Sequence, residues 1–469
     1  MITVVGTGTG APLPPEVLAG AELVVGGRRH LDAAQLPAEA ARIVLGPLAP
    51  ALDTIEGYVG KDRPVVVLAS GDPGFFGIVR VLAERFGADR LDVRAGVSSV
   101  AAAFARVGLP WDDAVVVSAH GRDPRTAVNV CRAHPKVAVL TGPGSGPAEL
   151  GAALRHAFGA PPGGSAHVSS ALSASSTAEP SAGPAATVAA SDSASASDST
   201  STSDSDSDSD SARASGARVL VVASALGSAG ERVEWVTPAE AAARDWGPDV
   251  SVVLCLDEAR VLGGVRTVAG APAGPAGWAL DEREFEHRDS MITKFEVRAL
   301  ALARLGPRLG DLVWDVGAGS GSVAVECARL GAAAVAVEKA ADGVERIAAN
   351  ALAHGVHVDV VHGSAPEALS GLPVPDAVFV GGGGAELPAV VTACALRARR
   401  TVVVAMAALD RVPAARAALT GAGFSCDGVL LQSSRLAPLP GDVTRLAATN
   451  PVFLLWGTRI PVSDEGVDQ

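Results

Sequence analysis

Short apolar runs that end in glycines or in an acid recur through the second half of the chain. The run at 313–321 reads Val-Trp-Asp-Val-Gly-Ala-Gly-Ser-Gly, a strand-like segment that leads into three alternating glycines. Apolar residues at helical spacing follow it and favour a helix over 322–330. A strand, a glycine turn and a helix in succession are typical of a doubly wound α/β sheet, which binds ligands at the carboxyl ends of its strands.

Three more apolar runs follow at regular spacing and extend the predicted sheet. The run 334–338 ends in Glu338, the run 358–365 ends in His-Gly-Ser-Ala, and the run 377–384 ends in four glycines. The glycine turn has the spacing G-x-G-x-G, whereas a dinucleotide-binding turn needs G-x-G-x-x-G. Glu338 can accept hydrogen bonds from both hydroxyls of a ribose. The series therefore predicts a site for a ribose-containing ligand at one edge of a parallel sheet.

The first half of the chain repeats the pattern with different loops. An apolar run and a glycine turn occupy 2–10, a helix is expected over 15–21, and an apolar run at 23–30 ends in Gly-Gly-Arg-Arg-His. The buried-type strand at 65–77 delivers Ser-Gly-Asp-Pro-Gly-Phe-Phe-Gly to its carboxyl end. Glycines in such loops let a ligand approach the backbone. We therefore expect a second α/β unit with binding loops of its own.

A low-complexity tract interrupts the first half. From about 161 to 215 the chain is almost entirely Ser, Ala, Asp, Thr and Pro, which is too little apolar surface to offset the entropy of ordering, so we expect disorder. The residues from 217 to 262 are too few for a core of their own. We predict one domain over 1–262 with an inserted surface loop, because loop-closure entropy grows slowly with length. The remaining predicted segments are a linker rich in Gly, Ala and Pro (263–280), a second domain (281–461) and a tail (462–469).

Composition narrows the class of protein. The chain has 469 residues, a formal net charge of -13 and 48% hydrophobic residues, so we expect two or three domains with sizeable cores and no nucleic-acid partner. Its five cysteines are widely spaced and odd in number, which fits neither a disulfide framework nor a zinc site, and no metal is expected. The chain starts directly with a strand-like run, so we expect neither a signal peptide nor a membrane span and predict a cytoplasmic protein.

The second half resembles the class I methyltransferases that depend on S-adenosylmethionine (SAM). The resemblance rests on the run 313–321, in which an acid stands two residues before the first of three glycines, and on the strands that follow. It implies that the strand ends hold SAM, with the adenine near 363–365. The residues implied in SAM binding here are Asp315, Gly317, Gly319, Ser320, Gly321, Glu338, Gly363, Ser364, Ala365 and Gly381.

The first half resembles the tetrapyrrole methylases, and most of all their subfamily that acts late in cobalamin biosynthesis. The segments that carry the resemblance are, in order, 6–10, 70–77, 96–99, 118–123, 140–147 and 226–232. The resemblance implies a two-lobed α/β fold with SAM between the lobes and a substrate-facing loop that includes Gly8 and Gly10. The residues implied in SAM binding are Gly71, Asp72, Pro73, Ser98, Ser99 and Ala119.

The start of the second domain is similar to a decarboxylating methyltransferase domain of the same pathway. An acidic opening segment at 281–288, a Met-Thr-Lys-like turn at 291–294 and the ending Asn-Pro-Val-Phe at 450–453 carry this similarity. Ile292 is inserted within the turn, and the similarity implies a SAM contact for Thr293. The loop 405–410 departs from the family pattern, which has an Asn and a Thr-Leu-Glu there, so no polar contact is assigned to it.

Together the resemblances imply an enzyme with two SAM sites that methylates carbons 5 and 15 of a precorrin and decarboxylates the acetate on ring C. The activated methyl group and the nucleophilic bridge carbon make positioning more important than a strong base. The substrate is a polycarboxylate, so basic residues near the loops are candidates to bind it, with a solvated surface charge as the alternative for each. These candidates are Arg288 and Lys294, which are also considered for catalysis, and Arg28, Arg29, His30, Arg122 and Arg435.

Other classes of function stay open. One is a methyltransferase that acts on nucleic acid, protein or a different precorrin; the acidic charge and the absence of an N-P-P-Y-like motif at 381–384 disfavour nucleic acid. Another is a non-catalytic SAM-binding scaffold with the tract 161–215 as its interaction region. Turnover of SAM on a precorrin, but not on RNA or peptide, separates them. We expect a small-molecule tetrapyrrole as substrate, a homo-oligomer, and neither a nucleic-acid nor a membrane partner.

Deletion of Ser165–Ser215 is predicted to leave folding and both methylations nearly unchanged, because the tract carries no cofactor motif and little apolar surface. The measurements are the yield of soluble protein and the rate of each methylation, relative to the intact chain. Loss of soluble protein on deletion would show that the predicted domain boundary is wrong.

Overall fold

The computed structural model describes residues 1–9, 13–142, 144–155, 218–247, 250–263, 268–270, 274–275, 277–288, 291–382 and 384–460. The low-complexity tract, the predicted tail and Gly10 lie outside these residues, as does part of the predicted linker.

The first lobe is a parallel sheet with helices packed on it. Its strands are β1 (Ile2–Thr7), β2 (Leu23–Gly26), β3 (Ala41–Val44), β4 (Val65–Ser70) and β5 (Leu91–Arg94). Its helices are α1 (Arg28–Ala33), α2 (Leu48–Val59) and α3 (Val79–Phe86). The strand order is β3-β2-β4-β1-β5. The helix predicted over 15–21 is instead a single 3-10 turn, Pro15–Val17, because two prolines precede it and Gly20 follows closely.

The second lobe combines residues from both sides of the low-complexity tract. Its helices are α4 (Ser99–Val107), α5 (Pro124–Ala133), α6 (Pro147–Leu154) and α7 (Pro238–Ala242). Its strands are β6 (Val115–Ser118), β7 (Lys136–Leu140), β8 (Arg218–Ser224), β9 (Arg232–Val236) and β10 (Val250–Asp257). They form a mixed sheet in the order β6-β7-β10-β8-β9. Strand β8 therefore lies inside a sheet that begins before the tract.

The remaining described residues form a seven-stranded sheet and a separate hairpin. The sheet contains β11 (Leu312–Val316), β12 (Ala333–Glu338), β13 (Asp359–His362), β14 (Ala377–Val380), β15 (Thr401–Met406), β16 (Phe424–Leu431) and β19 (Val452–Arg459). The hairpin pairs β17 (Ser434–Leu439) with β18 (Val443–Ala448), and the helices are α8 (Phe295–Leu305), α9 (Ser322–Arg329), α10 (Ala341–Ala353), α11 (Leu387–Arg397) and α12 (Val412–Gly421).

The order of this sheet is β13-β12-β11-β14-β15-β19-β16, with β11 to β15 parallel and β19 antiparallel to both of its neighbours. Strands β11, β12 and β14 are buried on both faces, which explains their continuous apolar runs. The chain reverses direction across the sheet between β11 and β14. Such a switch point opens a crevice at the carboxyl ends of the strands.

Helix α5 of the second lobe contacts the opposite, amino edge of this sheet. Arg125 forms an ion pair of 2.6 Å with Asp376, which directly precedes β14. The other carboxylate oxygen of Asp376 accepts a hydrogen bond from the backbone of Leu312 at 2.8 Å. Asn129 donates from its side chain to the carbonyl of Gly310 at 3.0 Å. One carboxylate thus links α5 to the first residue of β11.

Arg125→Ala is predicted to destabilise this contact by about 1.5–3 kcal/mol, because a largely buried carboxylate loses a charged donor. The matched control is Arg85→Ala, which breaks exposed ion pairs with Asp53 and Glu56 and is expected to change stability much less, because solvent screens exposed pairs. Chemical unfolding and hydrogen exchange of the amides at 310–316 measure the effect. Equal effects of the two substitutions would contradict the prediction.

Candidate active site

The glycine turn after β11 is built on left-handed backbone. Gly317, Gly319 and Gly321 have φ values of 72°, 59° and 71°, which residues with a Cβ rarely adopt. A Cβ on Gly317 would lie 3.1 Å from Gly382, and one on Gly321 would lie 2.9 Å from Ile347. A Cβ on Gly319 would meet no atom within 4 Å. The outer glycines therefore allow tight packing, while Gly319 faces open space.

That space belongs to two adjoining cavities of about 490 Å³ and about 390 Å³ at the carboxyl edge of the sheet. Gly317, Glu338 and Lys339 line both of them. Predicted residues that line the larger cavity are Arg288, Thr293, Lys294, Gly317, Gly319, Ser320, Glu338 and Gly381. Those that line the smaller one are Gly317, Glu338, Gly363, Ser364 and Ala365.

Glu338 stands between the cavities with its carboxylate held by backbone amides. Gly319 donates to Oε2 at 2.8 Å, and Ala340 donates to Oε1 at 2.9 Å. Gly343 packs against the same side chain, since a Cβ there would lie 2.7 Å from its Cγ. Each carboxylate oxygen retains capacity for a further donor. The arrangement therefore presents two oriented acceptors, as a pair of ribose hydroxyls requires.

Asp315 lies beneath the glycine turn and lines neither cavity, so it is not placed for the direct SAM contact expected from the sequence. It is 1% exposed, and its Oδ2 accepts a hydrogen bond of 3.0 Å from the backbone of Ala324 in α9. Burial, and to a smaller extent the charge of Glu338, raises the pKa of Asp315 to about 7. The side chain fastens the strand to the helix that follows the turn.

Both cavities have apolar and polar walls. Apolar side chains of Val316, Val337, Ala365 and Val390 line the smaller one, as a flat base requires. In the larger one, the buried Ser320 hydroxyl has no hydrogen-bond partner within the described part of the chain. A buried polar atom of this kind is normally paired, so it fits a ligand donor or acceptor. These features together suit SAM, with its base in the smaller cavity.

Basic side chains on the rim of the larger cavity include two that the sequence did not single out, Lys339 and Arg346. Arg346 donates to Asp342 at 2.9 Å, one turn away on α10, and Arg288 lies 3.6 Å from the same carboxylate. With Lys294 they give this opening a positive rim in a chain of net charge -13. Lys339 and Arg346 follow Glu338 at the end of β12, and this position in the sequence could have identified them as candidates.

The loop 405–407 contributes Ala, Met and Ala to the larger cavity, so its part of the wall is apolar. The turn 291–294 lies across from it and is held from below by Arg298, which is fully buried. Arg298 donates to the carbonyl of Thr293 at 2.6 Å and lies 3.5 Å from the carboxylate of Glu326. The buried ion pair of Arg298 with Glu326 therefore fixes the position of the turn that carries Thr293 and Lys294.

Arg435 has a structural position instead of the predicted substrate contact. It donates to Glu282 at 2.7 Å and to Glu296 at 2.7 Å, so two carboxylates occupy its guanidinium. Its hydrogen bonds lower the pKa of Glu282 to about 2. This pairing ties the β17–β18 hairpin to Glu282, which precedes α8, and to the first turn of α8. Sequence spacing did not reveal it, because the partners lie about 140 to 150 residues away.

In the first domain, the loops that follow β1, β4 and β5 meet at one edge of the sheet. Gly6 lies close to the backbone of Gly71 and Gly96. A Cβ on Gly6 would clash with both of these neighbours. Gly71 has a φ of 64° and donates to the carbonyl of Thr7 at 2.9 Å. Asp72 accepts a hydrogen bond of 2.8 Å from the backbone of Gly74 and so shapes the loop that ends at Gly77.

The other predicted residues of the first domain lie at loop and helix ends. Ser98 accepts from the backbone of Ala101 at 3.1 Å and caps α4, which starts at Ser99. Ala119 is buried after β6. Of the other predicted residues here, Pro73 is buried, and Arg28, Arg29 and Arg122 are exposed. His30 is buried against Gly8, and Gly227 of the second lobe packs on the backbone of Gly8 from the other side.

Comparison with known proteins identifies both halves. The family of tetrapyrrole (corrin/porphyrin) methylases matches residues 1–242, and the precorrin methyltransferase domain family matches residues 283–456. A Sinorhizobium sp. relative, precorrin-6Y C(5,15)-methyltransferase [decarboxylating], is 36% identical over 79% of this chain and 74% of its own length. This chain belongs to the precorrin-6Y C(5,15)-methyltransferase family. The predicted fold class and family are thereby confirmed, and members of the family are decarboxylating, SAM-dependent methyltransferases.

Two shorter relatives each match about a third of the chain. The cobalt-precorrin-7 C(5)-methyltransferase of Salmonella typhimurium is 36% identical over 32% of this chain and 75% of its own. A protein of Pyrobaculum calidifontis, named probable cobalt-precorrin-6B C(15)-methyltransferase (decarboxylating), is 37% identical over 36% of this chain and 91% of its own.

None of the helices within the described ranges is long and apolar enough to cross a membrane. Nor do three or more His, Cys, Asp or Glu side chains in that part of the chain gather closely enough to hold a metal ion.

Asp315→Asn is predicted to flatten the dependence of stability on pH. The folded-state pKa of Asp315 is raised from 3.8 to about 7, so its stabilising contribution is complete below about pH 4 and is lost as the pH rises through about 7. The asparagine cannot ionise and still accepts from Ala324. The variant should therefore gain melting temperature relative to the wild type at pH 8 but not at pH 4. Asp315→Ala, which loses the bond, should melt lower at both, and an unchanged pH dependence in Asp315→Asn would count against the prediction.

Proposed function

We propose that this chain, as a member of its family, methylates precorrin-6Y at carbons 5 and 15 and decarboxylates the ring C acetate at two separate sites, each with its own SAM. The first domain acts at carbon 5. The second domain acts at carbon 15 and removes the acetate. The reactions belong to cobalamin biosynthesis.

The observation that carries the proposal for the second domain is the oriented carboxylate of Glu338 beside the open face of Gly319. Two backbone amides fix both oxygens of Glu338 between the smaller cavity and the larger one. This geometry suits a nucleoside whose substituent extends into the larger cavity. SAM, when bound, supplies an activated methyl group, and the residues need only hold the acceptor carbon in line with it.

The rim of the larger cavity supports a polycarboxylate substrate. Arg288, Lys294, Lys339 and Arg346 line this opening, and arginine in particular binds carboxylates with two parallel hydrogen bonds. Asp342 holds Arg346 in place and lies close to Arg288, so both guanidiniums are ordered before substrate arrives. For decarboxylation, the conjugated nitrogens of the macrocycle accept the electron pair, and these residues orient the acetate.

The first domain is proposed to hold the second SAM with a different set of loops. Gly6, Gly71 and Gly96 bring three strand ends together without side chains between them, which leaves backbone groups accessible to a ligand. The relatives named for carbon 5 and for carbon 15 each match only about a third of this chain, which supports two separable activities. A homo-oligomeric state and a cytoplasmic location stay predictions.

Substitution of one acid in each domain tests the proposal. Glu338→Ala loses charge-assisted hydrogen bonds of about 1.5–3 kcal/mol each, so one of two SAM sites should weaken by about one to two orders of magnitude. Methylation at carbon 15 should then fall at limiting SAM. Asp72→Ala opens the loop that it shapes and should weaken the other SAM site and methylation at carbon 5. Calorimetric titration of the full chain with SAM, and product analysis by mass and NMR, measure these effects.

Matched controls use the same substitutions at exposed acids outside both sites. Glu345→Ala lies on α10 and Asp89→Ala lies after α3, and neither should change SAM stoichiometry or product. A single SAM site on fully active wild-type protein would overturn the two-site proposal. If Glu338→Ala abolished methylation at carbon 5 and spared carbon 15, the assignment of reactions to domains would be reversed.

A further inference from the structure

Three side chains of the first domain form a hydrogen-bonded cluster at the carboxyl ends of β2 and β4. Nε2 of His30 lies 2.7 Å from Oγ of Ser70. Arg29 donates from Nη2 to the same Oγ at 2.9 Å, and from Nε to Nε2 of His30 at 3.3 Å. The family comparison and the two-site proposal give this cluster no role beyond substrate contact.

The donor pattern fixes the direction of these bonds. A guanidinium only donates, so Oγ of Ser70 and Nε2 of His30 both act as acceptors toward Arg29. An accepting Nε2 carries no proton, which leaves the ring proton on Nδ1. The hydroxyl hydrogen of Ser70 therefore points at Nε2. Ser70 and His30 form a directed pair in which the serine is the donor and the imidazole is the acceptor.

The pair lies between the loops proposed for SAM and for substrate. Ser70 is exposed and directly precedes Gly71 and Asp72. His30 is 7% exposed, and its ring lies against Gly8, where an added Cβ would come within 2.8 Å of Cε1. An accessible hydroxyl thus has a buried imidazole directly behind it.

Burial, helped by a neighbouring positive charge, keeps this imidazole free of a second proton. Burial, and then the positive charge of Arg29, lowers the pKa of His30 to about 4. The groups that face it from the neighbouring loops are the backbone of Gly8 and the hydroxyl of Ser70, and neither titrates near neutral pH. His30 is therefore neutral at pH 7 and available as a base.

We propose that Ser70 and His30 take up the proton that the macrocycle releases when carbon 5 is methylated. This inference rests on the proposed function of the first domain. The carbon donates an electron pair to the methyl group, the bond from sulfur to methyl breaks with its pair on sulfur, and the hydrogen of carbon 5 leaves as a proton. Oγ of Ser70 accepts that proton while its own passes to Nε2 of His30, and the imidazolium returns a proton to solvent.

Arg29 makes the basicity of His30 depend on bound substrate. A carboxylate of the macrocycle bound to Arg29 offsets the positive charge that opposes the imidazolium, so the basicity of His30 rises in the complex. General bases work best when their pKa is near the working pH. The base therefore becomes stronger when a substrate is present to be deprotonated.

Nitrogen NMR of the full chain tests the pair without turnover. The His30 signals are assigned by their absence in His30→Ala. In free protein, Nε2 should be unprotonated and the ring should titrate far below the ordinary pKa of histidine, and addition of the tetrapyrrole without SAM should raise that pKa. A protonated Nε2 at neutral pH, or a titration that the tetrapyrrole leaves unchanged, would overturn the inference.

Single-turnover kinetics at saturating SAM and tetrapyrrole test its role in the reaction. His30→Ala should slow methylation at carbon 5 by about 100-fold, which is within the usual range for general base catalysis, and added imidazole should restore part of the rate. The wild-type rate should fall as the pH drops and the imidazole becomes protonated, whereas the variant should lose this dependence. Methylation at carbon 15 should not change, and His357→Ala, in the other domain, serves as the matched control.

Ser70→Ala keeps the inference testable if His30→Ala fails to fold. It removes the relay with a small change in volume and should also slow methylation at carbon 5 with SAM affinity retained. Wild-type rates in Ser70→Ala, or a defect in His30→Ala that imidazole does not relieve, would refute the pair. If Asp72→Ala abolishes methylation at carbon 5 but Ser70→Ala and His30→Ala do not affect it, only the proposed role of the Ser70–His30 pair fails. If Asp72→Ala also spares it, the site assignment fails instead.

Discussion

The hydrogen bond between the backbone of Gly319 and the carboxylate of Glu338 is the constraint on which the second domain depends. It joins the turn after β11 to the end of β12, and it forms only if the chain at Gly319 adopts a left-handed conformation. The same carboxylate orders the start of α10 through Ala340. If Glu338 holds the ribose as proposed, the residue that binds the cofactor also fixes the glycine turn and the start of α10.

A second constraint is the distribution of charge. The chain is acidic overall, yet the opening of its larger cavity carries arginine and lysine side chains, and Asp342 orders two of them. In acidic surroundings, this positive rim favours the approach of an anionic ligand to the larger cavity. Arg435 shows the contrast, because Glu282 and Glu296 neutralise it and it serves only to fix a hairpin.

Features with a local cause could be predicted from the sequence. Buried parallel strands need continuous apolar runs, and close backbone approach needs glycine, so the strands at 313–316 and 377–380 and the acid at the end of β12 were visible directly. The structural place of Asp315 and the pairing of Arg435 depend on which distant segments pack against them, and spacing along the chain does not record that. The helix predicted over 15–21 is wrong, because proline and glycine limit so short a segment to one 3-10 turn.

The contact of α5 with the amino edge of the large sheet separates two tasks in space. Asp376 and Gly310 lie where the strands begin, whereas both cavities lie where they end, about 15 Å away for a strand of five residues. The surface that α5 contacts therefore lines neither cavity. A broad, rigid macrocycle can reach the larger cavity without displacing α5. If the two methylations use the sites proposed here, the intermediate must leave one site before it enters the other.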